Sequence, residues 1–171
     1  NRFNEIKLNE NALPKISRNT YSAVIKDFNN PKKIEDKNLI IFENNLSFEL
    51  TDFKDQKFKK IYLISNKNEN REIKLSEKII NFKTGLIEDQ KNQLKEKSIN
   101  CEIIDISEIK KIENCYYLYP CVGENLDYLN SQGMNSLEFL YRNLDRNFWK
   151  YCDKGFFNFK KYIPKIIKEF F

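Results

Sequence analysis

Histidine is missing from the chain altogether. That absence excludes a Ser-His-Asp triad, a Cys-His dyad, a zinc site of the HExxH kind and a histidine general base. Any proton transfer would fall to a carboxylate, Lys, Tyr or Cys. Glycine is nearly as scarce, with 4 residues in 171. None of them lies in Ser65 to Arg71, the loop where a βαβ unit would close its backbone on a phosphate. The 4 cysteines, Cys101, Cys115, Cys121 and Cys152, form no CxxC pair and lack the ligand spacing of a zinc site. Reduced thiols in a cytosolic protein are favoured over disulfides. No apolar run is long enough to span a membrane, and no signal-peptide core is evident. The chain opens on Asn1 rather than Met, as a trimmed protein or a piece of a longer one would.

What is present is an ordinary apolar fraction and a third of charged residues with both signs interspersed. A chain of 171 residues is long enough for one domain with a substantial core. The abundance of Asn, Lys and Ile reads as genomic codon bias. The net charge of +5 comes from 30 basic and 25 acidic residues. It permits weak, salt-sensitive polyanion binding without arguing for nucleic acid by itself.

The organising stretch is Lys59 to Tyr119. Its apolar runs are Ile61 to Ile64, Ile103-Ile104 with Ile106, and Tyr116 to Tyr119. Short apolar runs rich in β-branched and aromatic residues read as strands buried on both faces. Between the first two runs, Leu75, Ile79, Phe82, Leu86 and Leu94 draw one helical stripe. Strand, crossover helix, strand implies a parallel pair. Gly85 interrupts the helix at a cost of about 1 kcal/mol relative to Ala, so two shorter helices are an alternative. Asn38 to Glu43 is a further strand, and Phe48, Leu50 and Phe53 suit a short helix after it.

The periodicity therefore predicts a Rossmann-like α/β fold. It has a mainly parallel sheet of four to five strands, near 38–43, 59–65, 101–106 and 115–119, with flanking helices and a C-terminal helical segment. Residues 1–37 form a polar lead-in, in which Tyr21 to Ile25 suits an edge strand. Residues 38–148 form the α/β domain. Met134, Leu137, Leu140, Tyr141, Leu144 and Phe148 suggest another helix, capped by Asn135 or Ser136. Residues 149–171 form a basic aromatic C-terminal helix, in which Pro164 implies a kink or a later start.

Three constellations could carry chemistry. Glu102, Asp105, Glu108 and Glu113 surround the third strand run, where a solvated rim is preferred over a carboxylate pair. Tyr116, Tyr117 and Tyr119 lie near Lys110 and Lys111, but a reductase pair needs Tyr-x-x-x-Lys on a helix. The third is the tail. Phe159, Ile163, Ile167 and Phe170 recur on one helical face, and Lys160, Lys161, Lys165 and Lys168 lie on the other. That segment is the candidate interaction surface. Its apolar face is expected to dock, at about 1.5–3 kcal/mol per side chain, on this domain or a partner. A polyanion partner read by the lysines is the alternative.

Glu113-Asn114-Cys115-Tyr116-Tyr117-Leu118-Tyr119 resembles the last strand of the structural subdomain that precedes the ketoreductase in modular polyketide synthases. Gln132 to Leu144 is similar to the helix that follows it there, and Leu39 to Phe42 to the first strand. The usual Trp after the leucine of that strand is absent, and the basic aromatic tail has no counterpart. The resemblance spans Tyr21 to Leu144. It implies a Rossmann-like half without a cofactor site, whose catalytic residues lie in a partner subdomain, so none is carried onto this chain.

The reading is a cytoplasmic, non-catalytic structural or interaction module. No catalytic, cofactor-binding or metal residues are expected, and the partner is another domain or protein chain. The alternatives are a fragment of a sugar-nucleotide-dependent glycosyltransferase and a nucleotide-sensing regulatory domain.

Overall fold

The computed structural model describes residues 30–134, 136–152 and 155–170. The proposed strand Tyr21 to Ile25, the cap Asn135 and the terminal Phe171 lie outside the described residues, as does the side chain of Phe170.

Among the described residues five strands form one sheet: β1 (Asn38–Phe42), β2 (Ile61–Ser65), β3 (Cys101–Asp105), β4 (Cys115–Leu118) and β5 (Phe139–Leu140). Their order is β3-β2-β1-β4-β5 and every pairing is parallel. The four strands expected from the apolar runs are all present. β1 is central because its neighbours on both sides pair with it, Leu39 opposite Ile61 on one side and Tyr116 on the other. A parallel ladder cannot close through a tight turn, so every connection crosses a face of the sheet.

Burial on both faces explains the uninterrupted apolar run of β1. Leu39 and Ile41 pack with Leu63, Leu118 and Leu140 under helix α1 (Glu77–Glu96), through its Ile87 and Leu94. Phe48 and Phe53, from the β1–β2 connection, complete that layer. Ile40 and Phe42 face the other way, with Ile64 and Tyr117, under Ile106 and Ile109 and under Leu129 of helix α2 (Glu124–Ser131). The connections thus change faces at β1, as in a doubly wound sheet.

The helical expectations need four corrections. First, α1 is one continuous helix of 20 residues through Gly85. Second, its buried positions are Ile87, Gln90 and Leu94, while Ile79, Phe82 and Leu86 are 45%, 66% and 42% exposed. The cause is length. A helix of 20 residues runs about 30 Å, whereas a five-residue strand spans about 17 Å. The N-terminal half of α1 overhangs the carboxyl edge of the sheet, so half of the stripe has no core beneath it.

Third, Met134 to Phe148 is not one helix. Gly133 adopts φ +71° after α2, and the chain turns into β5 before helix α3 (Asn143–Trp149). Backbone bonds from Tyr117 N to Glu138 O and from Tyr119 N to Leu140 O, both 2.9 Å, fix that edge. The apolar residues alternate between faces, Leu137 and Phe139 on the α2 side and Leu140 on the α1 side. That alternation is the strand period. Fourth, the tail is two helices, α4 (Phe156–Phe159) and α5 (Ile163–Phe170), with Pro164 in the first turn of α5, where its missing N–H costs nothing.

Gly85 and Gly133 give opposite predictions. A Cβ at Gly85 would meet nothing within 4 Å, so Gly85→Ala should stabilise the protein by about 1 kcal/mol. Gly133→Ala should destabilise by about 1–2 kcal/mol, because its φ of +71° is a left-handed conformation. Urea denaturation midpoints check both. A lower midpoint for Gly85→Ala would mean that the helix is not continuous there.

Candidate functional site at the carboxyl edge of the sheet

In an open parallel sheet, a ligand usually enters the crevice above the strand ends where the crossovers diverge. Here that place lies between β1 and β4. Four segments converge on it: Glu43 to Asn45 after β1, Asn66 to Arg71 after β2, Tyr119 to Asn125 around the end of β4, and Tyr141-Arg142 after β5.

The centre of the site is Arg71, whose side chain is 0% exposed. A 3-10 turn at Asn68–Asn70 delivers it, with Arg71 N donating to Asn68 O at 3.1 Å. The Asn68 side chain closes the same loop by bonding both N and O of Leu75, each at 2.9 Å. The guanidinium donates from Nε and Nη2 to Asn66 O at 3.0 and 2.7 Å, and from Nη2 to Glu43 Oε1 at 2.6 Å. Nη1 donates to Glu124 Oε1. Lys83 Nζ, from the overhanging part of α1, reaches Glu43 Oε1 at 2.5 Å and Glu124 Oε1 at 3.7 Å.

Two cations and two carboxylates therefore neutralise each other in the crevice. Burial works against the Arg71 charge, but the hydrogen bonds and fields of Glu124 and Glu43 outweigh it and raise its pKa. Glu124 also opens α2, whose N–H groups favour an anion. The Glu124 carboxylate is turned to Arg71 and Lys83, and it adds a negative charge beside the start of α2.

A layer of amides seals the β1–β4 seam. Asn44 Nδ2 donates to Pro120 O at 2.6 Å, and Asn45 Nδ2 to Tyr119 O at 2.5 Å. Asn125 Nδ2 donates to Asn44 Oδ1 at 3.1 Å, and Arg142 Nη2 to Asn45 Oδ1 at 3.3 Å. Among the described residues, the buried acceptors Asn66 Oδ1 and Asn125 Oδ1 receive no protein hydrogen bond. Such acceptors suit a water or a hydroxyl, not a phosphate.

Two clefts flank this cluster. One of about 410 Å³ is lined by Arg71, Glu72, Glu124, Asp127 and Tyr128 among others. One of about 280 Å³ lies between α1 and Phe48–Leu50, with Glu43, Glu49 and Asp89 in its wall. Carboxylates outnumber cations among the lining residues of both, which disfavours phosphate esters.

The acidic residues singled out around β3 do not converge. Glu102 forms a 2.5 Å ion pair with Lys60, which lowers its pKa, and Glu108 pairs with Lys111 at 3.0 Å. Glu113 is exposed. Asp105 accepts from Ser107 N at 3.0 Å and Oγ at 2.6 Å, and from Asn70 Nδ2 at 2.9 Å. Burial opposes its ionisation, yet the Ser107 and Asn70 donors hold its pKa below the ordinary value. The tyrosines of β4 pack in the sheet layers. Tyr117 is buried, and burial raises its phenol pKa. Tyr119 meets Phe139, Tyr141 and Trp149 at centroid distances of 5.0–5.6 Å. Lys110 and Lys111 are exposed.

In the tail, Ile166 is the fully buried position. Ile163 is half-buried, and Phe159 packs on Phe148 at 5.5 Å. Ile167 is 44% exposed, and Lys160, Lys161, Lys165 and Lys168 face solvent. All four cysteines are free thiols. Among the described residues no group of His, Cys, Asp and Glu is placed to hold a metal ion, and no helix is long and apolar enough to cross a membrane.

The residues that build the crevice, Glu43, Arg71, Lys83 and Glu124, were not singled out by sequence. The available signal was local: Glu43 directly follows the apolar run Leu39 to Phe42, so its carboxylate is carried to a buried edge. Comparison with protein-family models, with curated proteins and with solved structures finds no match.

Arg71→Met should cost about 3–5 kcal/mol, because it leaves the buried Glu43 short of its principal partner. Adding Glu43→Leu should recover most of that loss, since the partly exposed Lys83 can return to water. Denaturant titration of both variants checks this, and strictly additive losses would contradict the pairing. Asp105 gives a pH prediction. Its folded pKa lies below its unfolded value of about 3.9, so its contribution is present above that pH and lost as pH falls through the folded value. Asp105→Asn should flatten the acid limb of stability below about pH 4. An unchanged slope there would remove Asp105 from the account.

Proposed function

We propose that the chain is a non-catalytic α/β module that works by docking to another domain or protein chain. The observation that carries the reading is the internally occupied crevice. Arg71 and Lys83 are paired with Glu43 and Glu124 across it, and the seam beside them is closed by side-chain amides. A nucleotide would have to displace Glu124, which is 43% exposed, from Arg71 and would then meet cleft walls in which carboxylates outnumber cations.

The docking part of the reading draws on the overhang. Leu50, Ile73, Ile79, Phe82, Leu86 and Val122 are exposed, and they lie in the connections after β1, β2 and β4 or in the N-terminal half of α1. Exposed large apolar side chains gathered on one side of a domain mark a contact surface rather than scatter.

The finer form of the reading is a structural subdomain of the polyketide synthase ketoreductase kind. It draws on the strand order and on β4 within Glu113 to Tyr119. Gln132 to Leu144, the second segment of the resemblance, holds a turn and β5 instead of the helix. The free thiols suit a reducing, cytosolic compartment. The glycosyltransferase-fragment reading has one observation in its favour, the cleft of about 410 Å³ beside Arg71.

A thermal-shift panel of NADPH, ATP, nucleotide sugars and cyclic oligonucleotides, with and without divalent metal, tests the reading. No ligand should move the Tm. A ligand at 100 times its Kd stabilises by about 2.7 kcal/mol, a readable shift. A metal-dependent shift with a nucleotide sugar would replace the docking module with the transferase fragment, and a metal-independent nucleotide shift with a sensing domain.

A further inference from the structure

The tail presents a second exposed surface, of different chemistry from the carboxyl edge. Phe156 and Phe157 are 65% and 74% exposed, adjacent, and in edge-to-face contact at 5.9 Å. Lys160 Nζ lies over the Phe157 ring at 5.2 Å, so ammonium and rings share one patch. Lys161 follows it on the exposed turn. In α5, Ile166 turns inward, which leaves Lys165 and Lys168 on the outward side and Ile167 on the flank. Between residues 155 and 169 the one carboxylate is Glu169.

We propose that this patch anchors the protein on an anionic lipid surface, with Phe156 and Phe157 as the apolar wedge and Lys160, Lys161, Lys165 and Lys168 against the headgroups. Exposed phenylalanines beside lysines on an amphipathic helical segment carry both interactions that interfacial binding needs, apolar burial and charge attraction.

Ring geometry favours a bilayer over single-stranded nucleic acid. Base stacking requires free aromatic faces. The Lys160 ammonium covers one face of Phe157, and Tyr162 is stacked on Tyr151 at 4.2 Å and 17°. The exposed Ile167 has no aromatic face to offer a base, yet it adds to an apolar wedge. The proposal goes beyond the docking reading and stands independently of it, since it uses no residue of the crevice or of the overhang.

The test is co-flotation of the full chain with phosphatidylcholine vesicles, with and without phosphatidylserine. Binding is expected with phosphatidylserine, about tenfold or more weaker without it, and weakened by salt. Phe156→Ser with Phe157→Ser should reduce binding about tenfold or more at unchanged Tm, because both rings are exposed. Lys160→Gln with Lys161→Gln should weaken binding to charged vesicles selectively. No binding to phosphatidylserine vesicles overturns the proposal, as does full binding by the phenylalanine double variant. Tighter, lysine-dependent binding to a single-stranded oligonucleotide than to the vesicles also overturns it, in favour of nucleic acid. The ligand panel above reads a separate property, so the two proposals fail separately.

Discussion

A guanidinium with no exposed surface must have its charge answered from inside the protein, and Arg71 sets that requirement for the whole carboxyl edge. The answer comes from two carboxylates far apart in sequence, Glu43 at the end of the central strand and Glu124 at the start of α2, and Lys83 on α1 balances the second of their charges. Each also fixes its own element. Glu43 can reach Arg71 only if β1 ends at Phe42, and Glu124 only if α2 begins just after Gly123. The loop after β2 has no freedom left, because its own carbonyl, Asn66 O, accepts two of the guanidinium's bonds. The network therefore holds the ends of the central strands in register from above, while the two apolar layers hold them from the sides.

That arrangement gives the edge its chemical character. A crevice closed by opposite charges and by amide-to-carbonyl bonds has its charged groups already paired, which is the reverse of what a binding site for a charged cofactor needs. Around it the surface turns apolar, because α1 is longer than the strands it crosses and lifts Ile79, Phe82 and Leu86 beyond the core. A neutralised polar centre with an apolar rim suits a macromolecular surface better than a phosphate, since burial of the rim has no charge left uncompensated beneath it.

What the sequence revealed, and what it hid, follows from the same physics. β1, β2 and β4 were legible because a strand covered on both faces must be apolar at consecutive positions, and such runs stand out against a charged background, whereas β3, a half-buried edge strand, was legible from Ile103-Ile104 alone. β5 was hidden because Phe139-Leu140 is a two-residue edge strand whose neighbours Leu137, Tyr141 and Leu144 also satisfy a helical spacing. Gly133 decided between the two by reversing the chain just before it. The stripe on α1 was a true periodicity, but periodicity reports an apolar face and not what covers it. The Arg71 cluster was invisible for a different reason. Its four members are ordinary charged residues in a chain rich in them, and only the topology brings residues 43, 71, 83 and 124 together.

The tail shows the limit of that reasoning from the other side. The amphipathic pattern correctly separated lysines from apolar residues, yet it could not say which apolar residues would be used internally. A turn at Lys160 to Tyr162 splits the segment, so Ile166 and Phe159 pack on the domain while Phe156, Phe157 and Ile167 do not. Exposing two phenylalanines forgoes roughly 1.5–3 kcal/mol each that burial would supply. Gly155, at φ +76°, starts the helix that carries both rings. The two rings and the exposed Lys160, Lys161, Lys165 and Lys168 are therefore the observations on which the proposed contact with a lipid surface rests.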